Sequence, residues 1–227
     1  MVVLNAVVGG VTVWMRLSPY IVAAHFLAAT LLLTAAVYTW HATYAGGGGD
    51  QSGVSGEGDR PGAPVPLAVG SLARIRSLSA ALVAVTALLV VVGTLATGSG
   101  PHAGDSSDVA RMHFDWTAVT VVHGVLAGAV LVLAGSLLSA LPRDGFGAAR
   151  RKAVALLAVL LGQGLVGLVQ SVTALPSLLV MLHLLGSALV WTGVLQVHLT
   201  VKRTCSSHSG PLGGAPLPDA RGAATYV

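Results

Sequence analysis

The segment SLLVMLHLLGSALVWTGVLQVHLTV (177–201) runs for 25 residues without a charged side chain. A helix of this length rises about 1.5 Å per residue and crosses the roughly 30 Å hydrocarbon layer of a bilayer. Four further apolar stretches are long enough to cross as helices: 20–41, 75–97, 116–141 and 153–173. A sixth apolar segment, 1–14, is too short to span alone. The sequence therefore predicts an all-α, polytopic membrane helical bundle with about six transmembrane segments.

The composition excludes a soluble domain. Hydrophobic residues make up 54% of the 227 residues and charged residues only 9%, whereas soluble domains carry about 25% charge. The net charge of +4 does not indicate nucleic-acid binding, because the few Lys and Arg lie between apolar runs and form no basic face. A single cysteine, Cys205, excludes an intrachain disulfide and a cysteine-based metal cluster. The predicted surroundings are therefore a lipid bilayer.

The basic residues predict the orientation. Ten of the twelve fall in one set of connections, which includes the C-terminal tail, and only Arg16 and Arg111 fall in the opposite set. Cytoplasmic loops retain Lys and Arg. We therefore expect a multi-pass protein of the cell (plasma) membrane with a cytoplasmic C-terminus and with loop 98–115 on the outer side.

The chain is predicted to have four parts. Two of them are rich in Gly, Ser and Pro and bury too little apolar area to order themselves, so we expect them to be disordered. The parts are a partial N-terminal helix pair (1–44), a cytoplasmic linker (45–74), a complete C-terminal four-helix bundle (75–201) and a cytoplasmic tail (202–227).

An internal repeat relates the first and last helix pairs at an offset of 158 residues. The matched positions are Asn5 with Gln163, Gly9 with Gly167, Leu17 with Leu175, and His25 with His183. Two more predicted helices precede the second copy and none precedes the first. Because duplicated membrane proteins usually keep both halves whole, we expect a four-plus-four architecture of which this chain lacks the first two helices and part of the third.

Three histidines lie inside the predicted spans. His25, His123 and His183 are each about six or seven residues from the outer end of their helix, which places them roughly 9–11 Å below the outer boundary. Two helices that present one histidine each at equal depth suit axial ligation of a haem iron. Hydrogen-bonded structural histidines and a proton relay stay open, although relays usually include Asp or Glu. A metal site other than haem would require carboxylate or cysteine ligands, which the spans lack.

The other polar residues near the outer face have open roles. His102 and His113 are predicted to be solvated loop residues, and a position beside a haem edge is the alternative. Arg16 and Arg111 either pair with a haem propionate or simply follow the charge rule for topology.

The string TGSGPHAGD (97–105), with Arg111 and the VVHG that contains His123 after it, resembles the haem A synthases of actinobacteria. The segments 9–26 and 162–191 are similar to the same family. The resemblance implies eight transmembrane helices in two pseudo-symmetric halves. It also implies an oxidoreductase that converts the C8 methyl group of haem O to a formyl group, giving haem A for cytochrome c oxidase.

The resemblance assigns roles to the three histidines. It implies that His123 and His183 ligate the iron of haem b, the cofactor, and that His25 belongs to the binding site of haem O, the substrate. Haem O synthase is the partner it implies, and the catalytic residues are not identified. The family's first helix pair supplies another histidine, a Glu and an Arg that have no counterpart here, which implies impaired activity of a truncated chain.

Two other functions remain compatible with these residues. A bis-histidine b-type transmembrane cytochrome would transfer electrons without modifying haem. A transporter with structural histidines would bind no haem.

Overall fold

The computed structural model describes residues 2–15, 18–46, 69–100, 111–173 and 175–208. Within these residues the chain forms α-helices and no strand, and every helix except the first is long and apolar enough to cross a membrane. This confirms the predicted all-α, polytopic bundle. The helices are α1 (Val2–Trp14), α2 (Pro19–Gly46), α3 (Val69–Ser99), α4 (Trp116–Ala140), α5 (Gly147–Val172) and α6 (Ser177–His208).

Local sequence signals set several helix ends. Asp115 caps the N-terminus of α4, and its carboxylate accepts a 2.6 Å hydrogen bond from the amide of Ala118. At the end of α5, Leu175 adopts a left-handed conformation with φ 58°, and its amide donates to the carbonyl of Gln170. This closing bond satisfies a carbonyl that the helix itself leaves free. The resulting short turn makes α5 and α6 antiparallel neighbours.

The last four helices form a closed ring. Each of α3, α4 and α5 packs on the helix that follows it, and α6 packs back on α3. Outside the ring, α2 lies against both α3 and α6, whereas α1 contacts only α2 among the described helices. The indole of Trp191 on α6 donates a 2.9 Å hydrogen bond to the hydroxyl of Thr34 on α2. The first helix pair is thereby attached to the ring through α2.

The buried core occupies one end of the ring, which we call the packed end. Its residues come from the beginnings of α3 and α5 and from the second halves of α4 and α6. Among the described residues, this core has no member in the first turns of α4 and α6, and we call that end of the ring the open end. The fully buried side chains of the packed end include Ile75, Leu82, Val130, Leu137, Phe146, Ala149, Val194 and Val201.

Two helices extend beyond the predicted spans. α3 begins at Val69, inside the predicted linker, and α6 continues to His208, inside the predicted tail. Hydropathy misses these turns because packing, not lipid, stabilises them: Leu72 and Cys205 are both buried in the core of the packed end. The guanidinium of Arg203 also donates to the carbonyl of His41 on α2.

The beginning of α5 also differs from the prediction. The helix starts at Gly147, six residues before the predicted span, because Phe146 and Ala149 are buried in the core. Arg150 donates hydrogen bonds to the carbonyls of Leu138 and Leu141 at the end of α4, at 3.0 and 2.7 Å. The remaining parts of the predicted linker and tail, 47–68 and 209–227, lie outside the described residues.

Candidate functional site

His123 and His183 face each other at the open end of the ring. Their ring centroids are 6.3 Å apart and the ring planes are inclined by 64°. His123 lies seven residues after the first residue of α4, and His183 six residues after the first residue of α6. Both helices begin at this end, so the structure brings together the two histidines for which the sequence predicts equal depth.

The spacing of the two rings suits one iron atom between them. An imidazole nitrogen binds a metal at about 2 Å, and the ring centre lies about 1.1 Å behind the nitrogen, so two axial imidazoles have centroids about 6 Å apart. Edge-to-face aromatic pairs without a metal have similar spacings. The distance alone therefore does not separate the two cases, and the polar atoms of the rings have to be considered.

Each intramembrane histidine rests on a glycine of the preceding helix. A Cβ added at Gly93 of α3 would lie 3.0 Å from Cε1 of His123, and one added at Gly167 of α5 would lie 3.6 Å from Cε1 of His183. In α1, a Cβ at Gly9 would lie 3.3 Å from Cε1 of His25. Small residues let helices approach closely in membranes. Here they make room for an imidazole at the helix contact.

The Nδ1 atoms of His25, His123 and His183 are buried and have no hydrogen-bond partner within the described residues. An unpaired buried polar group costs about 1–3 kcal/mol. Nδ1 of His41 at the packed end is also buried and unpaired, so an unpaired nitrogen does not by itself mark a ligand. What sets His123 and His183 apart is that their rings face each other at one level.

His25 lies apart from the pair. Its ring is against Gly9, and within the described part of the chain it makes no ring contact with His123 or His183. The contact between Gly9 and His25 has the same form as the contact between Gly167 and His183, at positions related by the repeat offset of 158. The α1–α2 pair and the α5–α6 pair therefore present their histidines in the same way.

The family model of the COX15-CtaA cytochrome oxidase assembly proteins matches residues 1–195. The chain belongs to this family. The match confirms the predicted likeness to haem A synthases, and it covers α1 to α5 and the first part of α6, with all three histidines. Comparison with curated proteins and with solved structures finds no match for this chain.

The ligand set of this COX15-CtaA member suits a porphyrin better than a bare ion. Within the described ranges, no group of three or more His, Cys, Asp or Glu side chains is close enough to hold a metal ion. A bare zinc ion takes three or four protein ligands. A haem iron takes four nitrogens from the porphyrin and needs the protein only at its axial positions. Two facing histidines therefore fit haem.

The structure describes only two of the four other polar candidates near the outer face. His102 and Arg16 lie outside the described residues. His113 and Arg111 are exposed and precede α4, at the end of the ring that holds the histidine pair.

Two further histidines of this family member belong to helix packing at the packed end. Nδ1 of His198 lies 3.2 Å from the hydroxyl oxygen of Ser79 on α3. His41 is buried, and its carbonyl accepts from Arg203. Both lie far along their helices from the paired rings, so they offer controls for experiments on His123 and His183.

Three residues beside the site were not predicted from the sequence to have a role there. Gly93 carries the ring of His123, and the signal for it is a glycine on the helix that precedes each intramembrane histidine. Gln163 and Thr120 have buried oxygens without a partner within the described residues. The repeat marked Gln163 as the counterpart of Asn5, but only packing shows that both lie next to a histidine contact.

Proposed function

We propose that this chain is a haem A synthase that holds haem b between His123 and His183 and haem O at His25. The observation that carries the proposal is the pair of rings 6.3 Å apart, each backed by a glycine and each with an unpaired Nδ1. Membership of the COX15-CtaA family supports haem A biosynthesis as the setting.

Conversion of the C8 methyl group to a formyl group adds one oxygen atom and removes two hydrogen atoms, a net loss of four electrons. One molecule of dioxygen balances this change and yields one molecule of water. Haem b, when bound, supplies a one-electron redox centre, and the redox chemistry belongs to the haem groups.

The residues of the chain bind and orient. His123 and His183 would hold the cofactor from two helices that begin at the same end, and His25 would hold the substrate from the adjoining helix pair. α2 packs on both α3 and α6, which keeps the two sites in one body.

The cofactor site is tested by a reduced-minus-oxidised absorption spectrum of the purified full chain. A low-spin b-type band is expected, and His123→Ala or His183→Ala should abolish it. His198→Ala is the matched control, because it removes a histidine of α6 at the packed end and should leave the band intact. A colourless wild-type preparation contradicts the proposal.

A second experiment separates the synthase from an electron-transfer cytochrome, which would give the same spectrum. The chain is expressed together with a haem O synthase in a host without its own haem A synthase, and the haems are extracted and separated. Haem A is expected. Extraction of haem O alone, from cells that contain the spectrally intact protein, favours the cytochrome.

A further inference from the structure

Oxygen atoms without partners accompany the unpaired histidine nitrogens. Eight buried side-chain atoms have no hydrogen-bond partner within the described residues, and six of them form three sets, each made of one histidine and one oxygen-bearing residue of the same helix pair. The three sets are His25 with Asn5, His123 with Thr120, and His183 with Gln163.

Gln163 is held one helix turn away from the contact that supports His183. It lies four residues before Gly167, on which the His183 ring rests, and its carboxamide packs on Gly186, three residues after His183. A Cβ at Gly186 would overlap this carboxamide. The glycine therefore makes room for a polar group at the α5–α6 contact.

Asn5 holds the equivalent place in the first helix pair. It lies four residues before Gly9, on which the His25 ring rests. Its side-chain oxygen is buried and unpaired, like that of Gln163. In both copies of the repeat a carboxamide oxygen and an imidazole nitrogen are thus left unpaired, and the carboxamide residue lies one turn from the glycine under the ring.

A histidine that binds a metal through Nε2 carries its proton on Nδ1 and usually donates that proton to an acceptor, which fixes the ring and raises its basicity. Inside a bilayer there is no water to accept it. A threonine hydroxyl can also accept, because it keeps its lone pairs when it donates to a carbonyl of its own helix. The two carboxamides are distinguished by the repeat, which puts one at the same position relative to His25 and to His183.

We propose that Gln163 and Asn5 are positioning residues that accept a hydrogen bond from Nδ1 of His183 and His25 when these rings ligate haem. The inference rests on the proposed function, since it requires haem at both places. It assigns one carboxamide to each haem, a role that follows from the helix packing and the repeat together.

The midpoint reduction potential of the purified full chain tests the role of Gln163. An acceptor on Nδ1 makes the imidazole a stronger donor to ferric iron and lowers the potential. Gln163→Met, which has a similar shape but no acceptor, should raise the potential. Gln163→Glu keeps an oxygen at the same reach and should return the potential to the wild-type value or below it. Gln196→Met on α6 is the control and should have no effect.

The possible outcomes separate an acceptor role of Gln163 from a packing role. Unchanged potential in Gln163→Met, or equal potentials in the Met and Glu variants, overturns the role of Gln163 as an acceptor. Loss of the haem band in the Met variant but not in the Glu variant supports it. Loss in both variants shows that Gln163 only packs the helices. Absence of the band from the wild type is a different failure, that of the proposed function.

The role of Asn5 is measured by the ratio of haem O to haem b that purifies with the chain. Removal of an outer acceptor typically weakens metal binding about 10–100-fold. Asn5→Leu should therefore lower the ratio about tenfold or more, with the b-type band unchanged, and Asn5→Asp should restore haem O. An unchanged ratio in Asn5→Leu, or equal losses in both variants, overturns the assignment.

Discussion

Gly93 of α3 lies so close to His123 of α4 that a methyl group at its Cα would be 3.0 Å from Cε1 and 3.4 Å from Nδ1 of the ring. Because Gly93 has only a hydrogen atom where other residues have Cβ, the imidazole can lie against its Cα. The orientation of His123 therefore depends on a residue of the neighbouring helix that has no functional group of its own.

Gly93→Ala should displace the His123 ring and reduce the b-type haem content or shift its low-spin spectrum. Gly167→Ala should be tolerated, because its Cβ would be 3.6 Å from the His183 ring, an ordinary van der Waals distance. Gly128→Ala meets nothing within 4 Å and is the control. Alanine in a helix is more favourable than glycine by about 0.5–1 kcal/mol, so loss of helix propensity cannot explain a defect. Equal spectra for all three variants would contradict this view of Gly93.

Arg150→Ala should destabilise the bundle by about 1.5–3 kcal/mol, since the guanidinium donates to two carbonyls at the end of α4 and hydrogen bonds of charged groups lie in this range. Arg151→Ala is the matched control, because the adjacent side chain is exposed. Unfolding in mixed micelles with increasing denaturing detergent measures the difference. Similar losses in the two variants would show that the carbonyl contacts contribute nothing specific.

The hydrogen bond between Trp191 and Thr34 joins α2 to α6, and its strength can be measured with a double-mutant cycle. We expect a coupling of about 0.6 kcal/mol and at most about 1.7 kcal/mol between Trp191→Phe and Thr34→Ala, the range found for hydrogen bonds between membrane helices. Thr34 also donates to the carbonyl of Thr30, so the single variant Thr34→Ala includes a local effect that the cycle removes. A coupling of zero would mean that this hydrogen bond does not help to hold α2 in place, which leaves packing and the contact of Arg203 with His41.

The orientation predicted from the basic residues can be tested by cysteine labelling in a Cys205→Ala background. Ser106→Cys, in the connection between α3 and α4, should react with a membrane-impermeant maleimide in intact cells. Ser209→Cys, after α6, should react only once the membrane is permeabilised. The reverse pattern would place the C-terminus outside and the histidine pair near the cytoplasmic face.

The sequence predicted those features that depend on length, composition and counting along a helix. The five long helices follow from apolar runs, because a helix in lipid has to cover its whole length with apolar side chains. The equal levels of His123 and His183 follow from their distances to the helix starts. The repeat by itself relates Gly9 to Gly167 and His25 to His183.

The tertiary structure decided what depends on neighbouring helices. Hydropathy does not register the added turns around Leu72 and Cys205, since burial in protein rather than in lipid stabilises them. Only packing shows that Gly93 supports His123 and that the carboxamide of Gln163 rests on Gly186. The amino-acid sequence indicates the period of each helix but not the rotation of that helix about its own axis. That rotation determines which glycine meets which imidazole, and so how the two rings come to be 6.3 Å apart.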